Sequence, residues 1–448
     1  MNLQLNHTIY FLGIGGIGMS ALARYFDGEG YEVSGYDRSE SVVTRQLAEL
    51  GIEVYYDMDP GRIEAADLVI YTPAIPKSNP EWIKAQELGK TCLKRAEVLG
   101  FISQSYRCIA VAGTHGKTTT STMLAHILRS AGMDITAFLG GLSANLGGNF
   151  VHGDDEWLVV EADEYDRSFL HLHPEWAIIN SLDPDHLDIY GDEDAMRETY
   201  RKFAHQAQEL LVHESAAMDW GRSYQTFGAN GDSKVADVRY EGVKTFFNLE
   251  VDGNKFRELT MTFPGRHNVM NMAAAATVAL QIGVGEKELR KAVADFRGIY
   301  RRFEVQIDTA ELTFIDDYAH HPGELEVVID TAREIFPDRQ LLVVFQPHLF
   351  TRTRDFMEGF AEQLDRVDVA MLMEIYPARE EPIEGVTSEA ILDLMKNGQK
   401  SLVRRERLGE EISSKLNQPT VLLTLGAGDI DREVPKLKSL LAPKYVNL

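Results

Sequence analysis

The sequence predicts an α/β protein of three domains, and three observations carry that prediction. The chain is 448 residues long, which at roughly 150 residues per domain implies about three hydrophobic cores. A short apolar strand followed by a glycine-rich turn and a helix occurs at residues 8–26 and again at 108–128. A regular alternation of strands and helices then resumes after residue 304. The expected domains are 1–105, 106–299 and 300–448, with the first boundary near Gln104-Ser105 and the second near Phe296 to Glu304.

Bulk properties narrow the class. The chain has 45 Lys and Arg against 69 Asp and Glu, a net charge of −24. An acid excess of this size argues against a general nucleic-acid or anionic-membrane surface, while leaving room for a local basic pocket. Cys92 and Cys108 are too few for a disulfide framework and lack zinc spacing, so buried thiols are expected. No signal peptide and no apolar run of about 20 residues is visible. A soluble cytoplasmic protein with no nucleic-acid or membrane partner is expected, as a monomer or homodimer.

The first domain opens with the apolar strand Thr8 to Leu12. It leads into Gly13-Ile14-Gly15-Gly16-Ile17-Gly18, and a helix is expected over 21–26. G-x-G-x-x-G after a strand and before a helix seats a nucleotide diphosphate on loop amides and a helix N-terminus. A second strand, Glu32 to Tyr36, ends at Asp37. A dinucleotide fold places an acid there, about 20 residues past the glycines, on a ribose. These residues alone leave NAD and other nucleotides open. A helix over 45–50 and strands over 53–55 and 68–71 continue the rhythm. Thr72 follows a strand end, where ligands sit in open parallel sheets. A loop fixed by Pro73 and Pro76 accounts for it equally well.

The second domain is organised around Gly113-Thr114-His115-Gly116-Lys117-Thr118-Thr119, which follows the strand Cys108 to Ala112. Met123, Leu124, Ile127 and Leu128 then recur at helical spacing. Strand, glycine loop and helix make a phosphate cradle, in which amides and the helix dipole face the anion. Lys117 is expected to reach the β/γ-phosphates, and the Thr118 hydroxyl to face Mg²⁺. The motif is a variant, with Val111 where its first glycine belongs and Gly113 two residues later. A strand over 157–160 delivers Glu161-Ala162-Asp163-Glu164, and one over 177–180 delivers Asp183-Pro184-Asp185-His186. Carboxylates and a histidine at strand ends beside a phosphate loop suit Mg²⁺ and phosphate, with helix caps and solvated turns as the plain alternative. His171 and His173 have metal-like spacing but no further ligands, and a structural role is expected. Residues 194–211 are expected as one amphipathic helix, and 220–260 as a β-rich antiparallel section. Asn268, ahead of a helix expected over 269–281, reads either as an N-cap or as an amide against a purine edge.

In the third domain four strands end in polar residues. Those over 312–315, 341–345, 369–373 and 421–425 run into Asp316-Asp317-Tyr318-Ala319-His320, Gln346-Pro347-His348, Glu374-Ile375-Tyr376 and Gly426-Ala427-Gly428-Asp429. Such ends share one edge of an open sheet. No G-x-S-x-G elbow, H-E-x-x-H pair or plausible cysteine nucleophile occurs, so the phosphate loop and the carboxylates carry the chemistry.

The stretches GIGGIGMSALA, AGTHGKTTT, EADEYDRSFL, DPDHLDIYG, GRHNVMN, YRRFE, DDYAHHP, FQPHLFTRTRD, EIYPARE and LGAGDI, in this order, resemble the Mur ligases over essentially the whole chain. The resemblance implies an N-terminal Rossmann-like domain for a UDP sugar, a central P-loop ATPase domain and a C-terminal Rossmann-like domain. It removes the NAD reading. It implies ligation of L-alanine to the carboxylate of UDP-N-acetylmuramate through an acyl phosphate, with ATP and Mg²⁺. Joining a tripeptide to the same sugar nucleotide, as in recycling, is the alternative. By the same resemblance Lys117, Glu161, His186, His320, His348 and Arg352 are the catalytic set. Gly113 to Thr119, Asn268 and Arg302 bind ATP, and Gly13, Gly15, Gly16, Gly18, Asp37 and Thr72 bind the UDP sugar. Thr118, Glu161 and His186 hold metal, and Asp317, Tyr318 and Arg352 line the amino-acid side. The chain departs from the family pattern at Leu349, where some members carry arginine, so Arg352 or Arg354 must cover that role. No carbamylated lysine is expected.

Overall fold

The computed structural model of the chain describes residues 8–184, 187–378 and 380–445. Its strands form three sheets. The first is entirely parallel, in the order β3-β2-β1-β4-β5. Its strands are β1 (Thr8–Leu12), β2 (Glu32–Tyr36), β3 (Glu53–Tyr55), β4 (Leu68–Tyr71) and β5 (Thr91–Lys94). Helices α1 (Ile17–Gly28), α2 (Val42–Glu49), α3 (Arg62–Ala65), α4 (Pro80–Glu87) and α5 (Arg95–Ser103) alternate with them. Both faces of β1 are buried, Ile9 and Phe11 in one apolar cluster and Tyr10 and Leu12 in another. That is why this central strand reads as an unbroken apolar run. The strand order reverses at β1, so the turns after β1 and β4 flank a crevice at the carboxyl edge.

The second sheet has the order β15-β14-β13-β12-β11-β10-β6-β9-β7-β8. Its strands are β6 (Arg107–Ala112), β7 (Thr136–Ser143), β8 (Gly148–Val151), β9 (Trp157–Glu161), β10 (Pro174–Ile179), β11 (Glu209–His213), β12 (Gln225–Gly228), β13 (Ser233–Glu241), β14 (Lys244–Val251) and β15 (Asn254–Met261). Helices α6 (Lys117–Ser130), α7 (Leu187–Tyr190), α8 (Glu193–Gln206), α9 (Arg266–Gln281) and α10 (Glu286–Asp295) accompany it. β6 lies between β9 and β10 and parallel to both.

Two expectations need correction here. The single helix expected over 194–211 stops at Gln206, and β11 begins at Glu209. Leu210, Leu211 and Val212 pair in parallel with Ala177, Ile178 and Ile179, and a consecutive apolar run buried on both faces suits an interior strand. The helix expected from Val269 begins at Arg266, so Asn268 lies inside its first turn and is not its N-cap. The section β13–β15 is joined by two-residue turns, and Asp252 (φ +49°) and Gly253 (φ +78°) have the left-handed backbone such hairpins need.

The third sheet has the order β16-β17-β21-β18-β19-β20, with β16 antiparallel and the others parallel. Its strands are β16 (Glu304–Asp308), β17 (Leu312–Asp317), β18 (Gln340–Phe345), β19 (Val369–Leu372), β20 (Lys400–Leu402) and β21 (Thr420–Leu425). Helices α11 (Pro322–Ile335), α12 (Phe350–Leu364), α13 (Ser388–Leu394), α14 (Leu408–Lys415) and α15 (Val434–Tyr445) surround it. β17 takes in Asp316 and Asp317, expected beyond its end. By contacts the chain divides into two units. The first comprises Met1–Val238, Phe247–Thr260 and His267–Phe296, the second Arg239–Phe246, Met261–Arg266 and Arg297–Leu448. Among the described residues no helix is long and apolar enough to cross a membrane.

Candidate active site

In the first unit β6 ends at Ala112, and the chain turns through Gly113 (φ +126°) and Gly116 (φ +78°) into α6. Both glycines are required. A Cβ on Gly113 would sit 2.8 Å from the Ser181 amide nitrogen, and one on Gly116 would run into the Asn271 side chain. Gly116 caps α6 with no side chain, so the amides of its first turn keep no local partner and face outward. The loop is braced from behind. The Thr114 and His115 amides donate to the Ser181 carbonyl (3.3 Å) and hydroxyl (2.9 Å), and the Thr114 hydroxyl donates to the Asp183 carbonyl at 2.7 Å. His115 is exposed and Thr119 is buried.

Lys117 is the first residue of α6 and folds back over the loop. Its Nζ donates to the carbonyls of Gly113 (2.7 Å) and Thr114 (3.2 Å) and to Glu164 Oε1 (2.8 Å). Burial alone would pull its pKa down, but the facing Glu164, Glu161 and Asp163 carboxylates outweigh this and hold it above the ordinary lysine range. Burial in turn pushes the Glu164 carboxyl up, against the pull of Lys117. Lys117 is therefore held as a cation against the carbonyls of the loop, with Glu164 opposite it.

β9 delivers Glu161 beside this lysine. Its Oε2 is buried and has no hydrogen-bond partner among the described residues. A Cβ at Gly140 would collide with this carboxylate, so the chain around it is shaped to leave it room. An orphaned buried carboxylate oxygen beside the lysine of the loop fits a hard cation. Among the described residues no group of three or more His, Cys, Asp or Glu side chains is placed to hold a metal ion by itself. Mg²⁺ takes one or two protein carboxylates and completes its shell with water and phosphate oxygens. His186, the third expected metal ligand, lies outside the described residues.

Asn268 is buried in the first turn of α9, and its side-chain oxygen accepts from Asn271 at 3.4 Å. Asn271 accepts from Thr120 of α6 (3.2 Å), whose oxygen also accepts from Asn180 (2.9 Å). Sequence reasoning singled out Asn268 and passed over Asn271, Asn180, Ser181 and Glu164. The i, i+3 spacing of the two asparagines in GRHNVMN was the available signal for Asn271. No local pattern marked Ser181 or Asn180, which reach the loop only through the parallel pairing of β10 with β6.

The glycine turn after β1 is the second cradle of this unit. The Gly13 (2.8 Å) and Ile14 (3.0 Å) amides donate to the Tyr36 carbonyl, and Gly16 caps α1 without a side chain. Asp37 Oδ2 accepts the Gly15 amide at 2.8 Å, so this carboxylate organises the turn. A Cβ on Gly15 would meet Thr44 at 2.6 Å and Asp37 at 2.8 Å, and one on Gly13 would meet Thr72 at 2.9 Å. Thr72, after β4, thus packs directly on the turn. Gly18 lies in the first turn of α1.

In the second unit Asp317, expected on the amino-acid side, is buried. Its oxygens accept the amides of Phe303 (2.6 Å) and Ala319 (2.7 Å), and burial raises its pKa to about 6. Asp316 is likewise buried, taking Arg301 Nε (3.2 Å) and the Thr424 hydroxyl (2.6 Å). Arg301 also donates to the Gly426 and Gly428 carbonyls, and so ties the ends of β17 and β21 together. Arg302 is left half-buried with its guanidinium carbon 5.5 Å from the Tyr318 ring centre. Its neighbours Arg301 (φ +58°) and Phe303 (φ +43°) hold strained backbone.

The remaining expected residues of that unit come together. His320 Nδ1 donates to the Tyr318 carbonyl (2.9 Å), the His320 and His348 rings lie 6.2 Å apart, and Arg352 Nη1 donates to His348 Nδ1 (3.3 Å). Burial, helped by Arg352 and Arg302 and opposed by Glu324, holds His320 below the ordinary histidine range. A neutral imidazole with its proton fixed on Nδ1 presents Nε2 as an acceptor. His348 stacks on Tyr376. Leu349 sits at φ +70°, ψ 137°, immediately before α12, and directs His348 and Arg352 to one place.

Family models match the chain in succession. The Mur ligase family, catalytic domain, covers residues 8–107, the Mur ligase middle domain 111–279, and the Mur ligase, glutamate ligase domain 301–428. The chain is 45% identical to the UDP-N-acetylmuramate–L-alanine ligase of Flavobacterium johnsoniae, over 98% of its own length and 99% of that protein's. It is 44% identical to the protein of the same name from Porphyromonas gingivalis, over 97% and 98%. Among solved structures it is similar to the UDP-N-acetylmuramate-alanine ligase of Thermotoga maritima, with a TM-score of 0.85, 30% identity and coverage of 98% and 99%. A murein peptide ligase from Psychrobacter arcticus, at 23% identity and a TM-score of 0.71, shares the fold. A cation and carboxylates gathered at one phosphate loop, a second glycine cradle and matches that run through all three sheets lead to one conclusion: the chain belongs to the Mur ligase family.

Proposed function

We infer that the protein joins L-alanine to the carboxylate of UDP-N-acetylmuramate at the expense of ATP, a step of peptidoglycan precursor synthesis. The observation that carries this is the buried Lys117–Glu164 pair beside the orphaned Glu161 carboxylate, in a chain related end to end to ligases of that name. A carboxylate is a poor electrophile. Its oxygen attacks the γ-phosphorus of ATP, ADP departs, and the resulting acyl phosphate has a good leaving group. The alanine amine then adds to the acyl carbon, loses a proton and expels phosphate. The protein's task is in-line positioning and neutralisation of spreading phosphoryl charge.

Each part has an assignment. Lys117 and the first-turn amides of α6 hold the β/γ-phosphates. Thr118 and Glu161, with His186, hold Mg²⁺, which when bound supplies further positive charge at the phosphate oxygens. Asn268, with Asn271, serves the adenine side, and Arg302 is a phosphate contact. The turn from Gly13 to Gly18, with Thr72, holds the UDP diphosphate, and Asp37 fixes that turn. Arg352 takes the alanine carboxylate, for which its planar fork is suited, and His320 and His348 flank it.

The test is phosphate release from ATP and Mg²⁺ with UDP-N-acetylmuramate, adding either L-alanine or the tripeptide L-Ala-γ-D-Glu-meso-diaminopimelate. Release that requires L-alanine, with one alanine gained in mass by the sugar nucleotide, is expected. Release with the tripeptide alone would move the protein to the recycling reaction.

A further inference from the structure

Arg95 stands between the two cradles of the first unit. It is the first residue of α5, and its side chain is three-quarters buried, with a relative exposure of 23%. On one side its Nη2 donates to Asp163 Oδ2 at 2.8 Å. Asp163 is itself held, since its Oδ1 accepts the Tyr165 amide at 3.0 Å. On the other side the guanidinium presses on the first turn of α1. A Cβ at Gly18 would sit 2.5 Å from Arg95 Nη1 and 2.9 Å from its Cδ. A guanidinium has five donors in a rigid fork, and Asp163 is its one side-chain partner among the described residues. One edge of the fork is anchored and the other lies against Gly18, where the turn enters α1.

In that turn, from Gly13 to Gly18, no residue carries a positive side chain. Its helix start offers amides, but the charged group bonded to it is the Asp37 carboxylate. A diphosphate seated there brings roughly two negative charges, and amides and a helix dipole worth about half a charge leave most of that uncompensated. Lys94, next to Arg95, is already paired with Asp166 at 2.9 Å.

We propose that Arg95 is a substrate-binding residue of the ligase: its guanidinium donates to the diphosphate of the nucleotide sugar on the turn from Gly13 to Gly18, while Asp163 holds the fork in place. This rests on reading that turn as the nucleotide-sugar site. It also gives the glycine at position 18 a reason, because any side chain there displaces the arginine from the turn.

The experiment is calorimetric titration of UDP, uridine and ATP into the full chain and its Arg95→Gln, Arg95→Lys and Asp163→Asn variants. The expected result is a loss of UDP affinity of roughly ten- to a hundredfold in Arg95→Gln, the range for hydrogen bonds to a charged group. Partial recovery is expected in Arg95→Lys. ATP affinity should be unchanged in both, which also reports that the fold is intact, and uridine affinity should not separate wild type from variants. Asp163→Asn should keep UDP affinity to within about threefold, because the asparagine oxygen still accepts from Arg95 and the donor at the turn is kept. Equal UDP affinity in wild type and Arg95→Gln would overturn the proposal. So would a loss in Asp163→Asn as large as that in Arg95→Gln, which would make Arg95 a strut between elements. Should Arg95→Gln not fold, Gly18→Ala is the second variant, and retained UDP affinity there overturns the proposal. Failure of wild type to bind UDP at all would instead overturn the reading of the turn, and the proposal with it.

Discussion

At Gly13–Gly18 the helix start carries no lysine, and the carboxylate bonded to the turn, Asp37, is spent on the Gly15 amide. At Gly113–Thr119 the same sequence of strand, glycine turn and uncapped helix carries Lys117 in its first helical position, with Glu164 and the Glu161 Oε2 oxygen buried around it. The backbones are close relatives: each turn needs glycines because side chains would strike a neighbour, and each helix leaves its first amides open. The difference lies in charge. A turn that only holds a diphosphate through a turnover can be served by amides and a fixed arginine beside it, whereas a turn at which phosphoryl charge moves needs a cation that can follow it and carboxylates for a metal. Two uses of one design can therefore be told apart by the titratable groups that the neighbouring strands deliver.

Lys117→Met tests that distinction with the largest expected effect. Methionine fills much of the buried volume without the charge. Removal of a preorganised cation from a phosphoryl-transfer site is expected to lower kcat by about a thousandfold or more, with the circular dichroism spectrum and UDP affinity unchanged. Turnover within tenfold of wild type would erase the contrast between the two turns. Glu161→Gln comes next. It keeps the shape opposite Gly140 and removes a metal-binding charge, so kcat should fall about a hundredfold, with a higher Mg²⁺ requirement. An unchanged Mg²⁺ titration curve would take Glu161 out of the metal site.

Both turns were legible in the sequence because their signals are local: a strand, glycines at fixed spacing and a helix. Glu161 was legible as the acid at a strand end. Glu164, three residues on, stood in the same acidic cluster without being singled out, because nothing local says which of several acids will face Lys117; that follows from the path of residues 161–167, with Asp166 (φ +52°) and Arg167 (φ +56°) in left-handed backbone. The braces Ser181 and Asn180 were invisible for a related reason, since they approach the loop through the register of β10 against β6. The helix overrun at 207–211 has the same cause: Leu210, Leu211 and Val212 are apolar in any structure, and only their place beside β10 makes them a strand. Asp317 shows the converse, where a strand-end acid looked like a ligand group and is consumed by two backbone amides.

Gly15→Ala tests the first turn at a smaller scale. The added methyl would lie 2.6 Å from Thr44 Cγ2 and 2.8 Å from Asp37 Oδ2, so the turn must shift. A shift of this kind misplaces the amides that face the diphosphate, and the KM for UDP-N-acetylmuramate is expected to rise about tenfold. The KM for ATP should stay as it was, because the second turn is untouched. Equal increases in both would mean that the two turns do not work separately.

Asp37→Asn carries the smallest expected effect and the sharpest sign. In a dinucleotide fold the acid at this position accepts from a ribose hydroxyl, and its loss weakens binding. Here the carboxylate already accepts the Gly15 amide at 2.8 Å and stands next to the turn assigned to the diphosphate. An asparagine oxygen keeps that hydrogen bond and drops the negative charge. Relief of repulsion between like charges a few ångströms apart near a surface is worth on the order of 1 kcal/mol, so UDP should bind about two- to fivefold more tightly. The gain should shrink as salt is raised, because the interaction is partly exposed to solvent. Titration calorimetry of UDP at low and high salt reads both effects. Weaker binding in the variant would put Asp37 on the nucleotide itself, and the first turn would then be working as a dinucleotide site does, with its acid on the ligand and not on its own backbone.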